Sequence, residues 1–153
     1  GSFVLHSFAV DVLARQLPIS FHIICYSNAA IFLSSVGIEE NGPYNDDAEA
    51  LDLLRKGSYD LVFLPSIWPE TYCYTLSLAI ASGITPAVFD LGAQAERLRS
   101  QNYGLILEYS LSRNPRELNN RLMSWRDTLC HDIGVSPDRA ENSTYMVAYY
   151  NKT

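Results

Sequence analysis

The stretch with the most chemistry in it reads Pro65-Ser66-Ile67-Trp68-Pro69-Glu70-Thr71-Tyr72-Cys73-Tyr74. It follows the clearest strand-like run, Asp60-Leu61-Val62-Phe63-Leu64, and precedes a strongly apolar helical segment over about 72–82 that Gly83 ends. A loop in that place delivers its side chains to the start of a helix. There the free backbone N–H groups and the helix dipole suit a phosphate. A carboxylate at Glu70, just ahead of the helix, can accept hydrogen bonds from a polyol. Pro65 and Pro69 stiffen the loop and lower the entropy cost of holding Glu70 in position. The same carboxylate could also do no more than complement the dipole.

Other chemistry-bearing residues fall into no constellation. His6, His22 and His131 are scattered, and His22 lies within a strand-like run. Cys130 and His131 are sequence neighbours whose side chains diverge on a helix, so they form no nucleophile–base pair. Three cysteines, Cys25, Cys73 and Cys130, show neither zinc-ligand spacing nor a disulfide framework and read as reduced thiols. No metal is indicated, because no carboxylate or histidine set converges. Asp46-Asp47 with Asp60 raises the idea of a phospho-accepting receiver. Such a domain needs an Asp at the end of its third strand, and here that strand runs into Pro65. Asn142-Ser143-Thr144 fits a glycosylation sequon that reads as chance in a chain without a signal peptide. Arg97 and Arg99 read as a solvated helix face.

The elements that must position the loop alternate in kind. Residues 3–16 read as a helix, Phe21–Tyr26 as a buried strand, 28–35 as a short helix and Val36–Glu39 as a short strand. A loop follows at 41–45. Asp46 then caps a helix, with Glu49 at capping-box spacing and Gly57 at its end. After the helix 72–82 come a strand Pro86–Asp90, a helix from Gly92 to about Gln101 and a strand Gly104–Leu107. Asn114-Pro115-Arg116-Glu117 is a helix-start signature, continued by Leu118, Leu122, Trp125 and Leu129. Ser136-Pro137 opens an expected last helix toward Tyr150, with Tyr145, Tyr149 and Tyr150 packing it on a neighbouring domain.

Short apolar strands alternating with helices imply an α/β domain, a doubly wound parallel sheet with helices on both faces. Ligands of such sheets bind at the carboxyl ends of the strands. That brings forward three loops, 41–45, 66–72 and 90–93.

The chain has 153 residues, 48% of them apolar and 18% charged, with net charge −6. This is enough for one packed domain of about 100–200 residues. The acidic balance argues against nucleic acid and against a polybasic membrane patch. Nothing approaches the roughly 18 apolar residues of a membrane span. Gly1-Ser2 reads as a cloning scar, with the true N-terminus upstream, and no signal peptide is expected.

The loop and helix, Pro65-Ser66-x-Trp68-Pro69-Glu70-Thr71-Tyr72-x-Tyr74-Thr75-Leu76-Ser77-x-Ala79-x-Ala81-x-Gly83, resemble the donor-binding signature of retaining GT-B glycosyltransferases of the "glycosyl transferases group 1" family. The nearest likeness is to those acting on bacterial O-antigen or rhamnan-type polysaccharides. Pro86-Ala87-Val88, Asp90-Leu91-Gly92-Ala93, Glu96, Gly104 and the upstream Gly42-Pro43-Tyr44 continue the likeness, which spans about residues 3–130.

The resemblance implies a Rossmann-like, nucleotide-sugar-binding C-terminal half of a two-domain enzyme, with residues 1–153 as a single domain. It implies sugar transfer from a nucleoside-diphosphate sugar to a polysaccharide or glycan acceptor held mostly by an absent N-terminal domain. No cofactor or metal is implied, and the setting is the cytoplasm, peripheral to the inner membrane in a full-length protein. Glu70 takes the role of the carboxylate on the transferred sugar, the catalytic position. Ser66, Thr71, Tyr72, Cys73 and Tyr74 fall at the sugar and diphosphate, and Gly42 and Tyr44 near the base.

The sequence departs from the pattern in three places. Position 78, where the family carries a second Glu for the donor ribose, is Leu78. The small Gly of the helix start is Cys73. The first strand of the domain, with the basic residues after it, has no counterpart. Its mid-sheet slot is expected to stand open, which implies a homodimer through the exposed edge or a rearranged sheet. The alternative is a degenerate, non-catalytic GT-B-like domain kept for interaction or scaffolding, with Leu78 as its support.

Overall fold

A computed structural model describes residues 1–24, 30–132 and 144–149. Each strand is a short apolar run, and the order along the chain alternates as expected. Helix α1 (Ser2–Arg15) leads into strand β1 (Ile19–Ile24). Then come α2 (Ala30–Ser34), β2 (Glu39–Glu40), α3 (Asp47–Lys56), β3 (Leu61–Leu64), α4 (Tyr74–Ser82), β4 (Thr85–Phe89), α5 (Gly92–Gln101) and β5 (Leu105–Leu107). A 3-10 turn over Tyr109–Arg113 precedes α6 (Pro115–Asp132), and β6 spans Thr144–Tyr149.

The strands form one parallel sheet in the order β2-β1-β6-β3-β4-β5. Side chains alternate between its two faces, as the pleat requires. On one face Leu61, Phe63, Ala87, Phe89, Leu105 and Leu107 pack with α1, α2 and α6. On the other, Val62, Leu64 and Val88 pack with α3, α4 and α5. Helices therefore cover both faces, and β3 is buried at every position. Phe63 sits between Phe8 of α1 and Phe89 of β4, with ring centroids 6.0 and 5.5 Å away. Helices α1 and α6 are also tied by a polar cluster. Asn119 Nδ2 donates to Phe8 O and Asp11 Oδ2, while Arg15 donates to Asp11 and to Asn120 Oδ1.

The expected last helix is overturned. Residues 133–143 lie outside the described residues, and Thr144–Tyr149 is a strand. It pairs with β1 from Thr144 to Tyr149 and with β3 from Met146 to Ala148. The mid-sheet slot expected to stand open is thus filled by the last strand. No open edge lies between β1 and β3, and that ground for a homodimer is gone. Counted with β6 in first place, the order is 3-2-1-4-5-6, the order of a doubly wound dinucleotide-binding sheet. The physical reason is that six residues rich in β-branched and aromatic types suit either a strand or a buried helix, and two strands with unpaired backbone select the strand. Tyr145 and Tyr149 thereby belong to the sheet, and Tyr150 falls outside the described residues.

The other differences are at boundaries. Strand β1 starts earlier, at Ile19, and the expected Cys25 and Tyr26 lie outside the described residues; β2 is only Glu39–Glu40. Among the described residues no helix is long and apolar enough to cross a membrane.

Candidate functional site

Strand β3 stops at Pro65, which cannot donate to the ladder. The chain then turns: the Ser66 amide donates to Leu64 O, and Ser66 Oγ donates to Trp68 O at 3.1 Å. Two other elements hold the far side of the loop. Tyr109 Oη donates to Ile67 O at 3.4 Å, and the Ala93 amide at the start of α5 donates to Glu70 O at 3.1 Å. That last contact needs Gly92. Its φ is +64°, and a Cβ there would stand 3.1 Å from Glu70 N, Glu70 O and Pro69 Cα. Glycine is what lets α5 start hard against the loop.

The loop borders an open cavity of about 490 Å3 at the carboxyl end of β3, lined by residues 64–73 together with Gly1, Thr75 and Gln94. That volume falls within the roughly 300–1,000 Å3 range of small-molecule sites. Glu70 is half-buried and lines it. Among the residues lining the cavity Glu70 is the one with a charged side chain. Ser66, Thr71, Tyr72 and Cys73 join it there, so five of the expected site residues meet around one space.

The other expected positions lie elsewhere. Tyr74 is exposed beside Tyr72, the two rings edge to face at 4.7 Å, and does not line the cavity. Leu78 is 9% exposed and belongs to the core beneath α3, α4 and α5, so its side chain is committed to packing. Gly42 and Tyr44 follow β2, which lies three places from β3 in the sheet, and neither lines the cavity. Tyr44 packs against the same core as Leu78.

Helix α4 begins without help from its own sequence. Its N-cap is Cys73, which makes no capping hydrogen bond, and its first turn holds no acid. The Thr75 and Leu76 amides lie near the Cys73 sulfur, a weak acceptor. Cys73 has φ −126°, ordinary extended backbone, so its side chain causes no backbone strain there. Burial pushes its thiol up to about 11, those two amides oppose the shift, and the nearby negative charge of Glu70 adds to it. The thiol is therefore protonated at neutral pH.

Arg97, expected as part of a solvated face, is half-buried and donates to Ser77 Oγ at 2.8 Å, fastening α5 to α4. Arg99 pairs with Asp90 at 2.8 Å. Among the described residues no group of three or more His, Cys, Asp or Glu could hold a metal ion.

Thr75 and Gln94 are cavity residues that sequence pattern does not single out. Thr75 lies one residue inside α4 and Gln94 in the first turn of α5, each inside a helix that periodicity assigns to the core. The one available signal is a polar side chain at the start of a helix that follows an edge loop. The chain matches no family model, no curated protein and no solved structure.

Proposed function

We propose that the chain is the donor-binding, GT-B-type Rossmann-like domain of a retaining glycosyltransferase of the "glycosyl transferases group 1" family, of the bacterial polysaccharide or O-antigen type. The observation that carries the reading is the position of Glu70: its carboxylate lines a cavity at the carboxyl end of β3, at the uncapped start of α4. The strand order supports it, since ligands of such sheets bind at that edge. In the proposed reaction the sugar C1–O bond to the diphosphate breaks, a new C1–O bond to an acceptor hydroxyl forms on the same face, and the hydroxyl proton passes to the departing diphosphate oxygen. Glu70 accepts hydrogen bonds from the sugar hydroxyls and so fixes the ring. The α4 amides and dipole stabilise the negative charge that gathers on the departing diphosphate. The glycan acceptor belongs to a second domain, and the setting is the cytoplasmic face of the inner membrane.

Calorimetric titration with UDP-, GDP- and dTDP-sugars tests this. One of them should bind the chain, and Glu70→Ala should weaken that binding by tenfold or more, as expected on removing a charged hydrogen-bond acceptor worth about 1.5–3 kcal/mol. Absence of binding by all of them would instead favour a degenerate domain kept for interaction. That second reading rests on Leu78, which puts a buried aliphatic side chain where the family carries its ribose-binding carboxylate.

A further inference from the structure

The cavity walls hold two polar side chains that nothing in the described residues uses. Thr75 is 3% exposed and Gln94 is 4% exposed, and both line the cavity. Neither side chain has a hydrogen-bond partner among the described residues. Nor is either among the sealed and unsatisfied side-chain atoms, which are Ser20 Oγ and Asn119 Oδ1. What accessibility their polar atoms keep is therefore toward the cavity. Burying an unpaired carboxamide or hydroxyl costs free energy that packing alone would avoid by placing an apolar residue there.

The chemistry of the walls narrows what completes them. Glu70 is a charged acceptor, Gln94 offers both a donor and an acceptor, and Thr75 offers a hydroxyl. Among the described residues no Lys or Arg side chain lines the space. A phosphate pressed into it would face the Glu70 carboxylate with no Lys or Arg side chain to offset it, and the Gly1 amino group that also lines the space has its pKa lowered by burial, which disfavours its charged form. A neutral polyol would find a charged acceptor and a mixed donor–acceptor pair in the same lining. Gln94 is also held in register with Glu70, because the neighbouring Ala93 amide binds Glu70 O and Gly92 packs on the same residue.

We infer that Gln94, with Thr75, is a specificity-determining residue that reads hydroxyl groups of the transferred sugar beside Glu70, leaving the diphosphate outside this part of the cavity. The inference rests on the donor reading above. It separates two parts of one ligand, so the test compares a nucleotide sugar with its bare nucleoside diphosphate. The pair is whichever of UDP-, GDP- or dTDP-glucose, or the matching galactose, mannose or rhamnose donor, binds the chain best by calorimetry.

Gln94→Met keeps the length of the side chain and removes both polar atoms. It should weaken the nucleotide sugar about fivefold or more, the value of one neutral hydrogen bond, and leave the bare diphosphate within twofold. Thr75→Val should act in the same direction. Gln94→Glu, of the same shape, guards against a packing effect: it should restore the fold of any damaged Gln94→Met protein, by circular dichroism, yet still change which sugar is preferred. Equal weakening of both ligands, or no weakening of either, overturns the inference while the donor reading stands. Failure of the unaltered chain to bind any nucleotide sugar overturns both.

Discussion

Helix α3 closes its own N-terminus and helix α4 leaves its own open. At α3, Asp46 Oδ1 accepts from the Glu49 amide at 2.9 Å, while the Glu49 carboxylate reaches back to the Asn45 amide at 2.7 Å and to its side-chain nitrogen at 2.8 Å. Asp47 and Glu49 add negative charge to the first turn. Helix α6 is closed in the same manner, with Asn114 Oδ1 accepting from the Glu117 amide. Helix α4 has a thiol at that position, no acid in its first turn and a cavity in front of it. Both α3 and α4 pack on the same face of the sheet. The contrast is therefore one of local chemistry: one helix end is closed by its own side chains and the other is not.

Changes that make α4 resemble α3, or the reverse, probe that contrast. The largest effect should come from the side of α4. Leu78→Glu places a carboxylate in the core and should cost about 3 kcal/mol of stability in urea denaturation, from burying an uncompensated charge. A stable Leu78→Glu protein with stronger nucleotide-sugar binding would show that this flank of α4 is open to ligand. Next comes Cys73→Asp, which gives α4 the kind of cap that α3 has. Nucleoside-diphosphate affinity should fall about tenfold, through like charge at the amides the ligand would use, as read by calorimetry. Unchanged affinity would place the diphosphate away from α4. Asp46→Ala opens α3 instead. It should cost about 1 kcal/mol in the same urea experiment and leave ligand affinity unaltered.

The smallest effect is that of pH on Cys73. Its folded-state pKa is raised to about 11 from an ordinary 9.0 by burial first. The folded protein therefore holds this proton more tightly than the unfolded chain does. The stabilisation is full below about pH 9 and is lost as pH rises toward about 11. The difference in melting temperature between the unaltered protein and Cys73→Ala should shrink across that window. Burial also raises Tyr59, which titrates nearby, so the difference between the two proteins is the quantity that isolates Cys73.

Much of the fold is legible in local pattern, and the remainder depends on distant partners. Strands β3 and β4 announce themselves as apolar runs bounded by Pro, Gly and Asp. The caps at Asp46 and Asn114 are spelled out by the residues themselves, each with a Glu three positions on. Residues 144–149 carry no such boundary. Tyr145 and Tyr149, four apart, mimic a helical stripe, and only the gap between β1 and β3 decides the matter. The site divides in the same way. Ser66, Glu70, Thr71, Tyr72 and Cys73 share one strand–loop–helix segment, so sequence order alone brings them together. Gln94 reaches them because Gly92 packs on Glu70, a contact between separate βα units that no spacing rule encodes.

The lodging of β6 between β1 and β3 has a consequence for how the molecule is made. Ile19 is the register partner of Thr144, so the middle of the sheet joins segments more than a hundred positions apart. Such remote pairing slows folding. On the ribosome β1–β5 emerge before β6, and β1 and β3 must wait with bare, sticky edges until residues 144–149 arrive. A nascent chain halted just short of residue 144 should therefore be a substrate for chaperones.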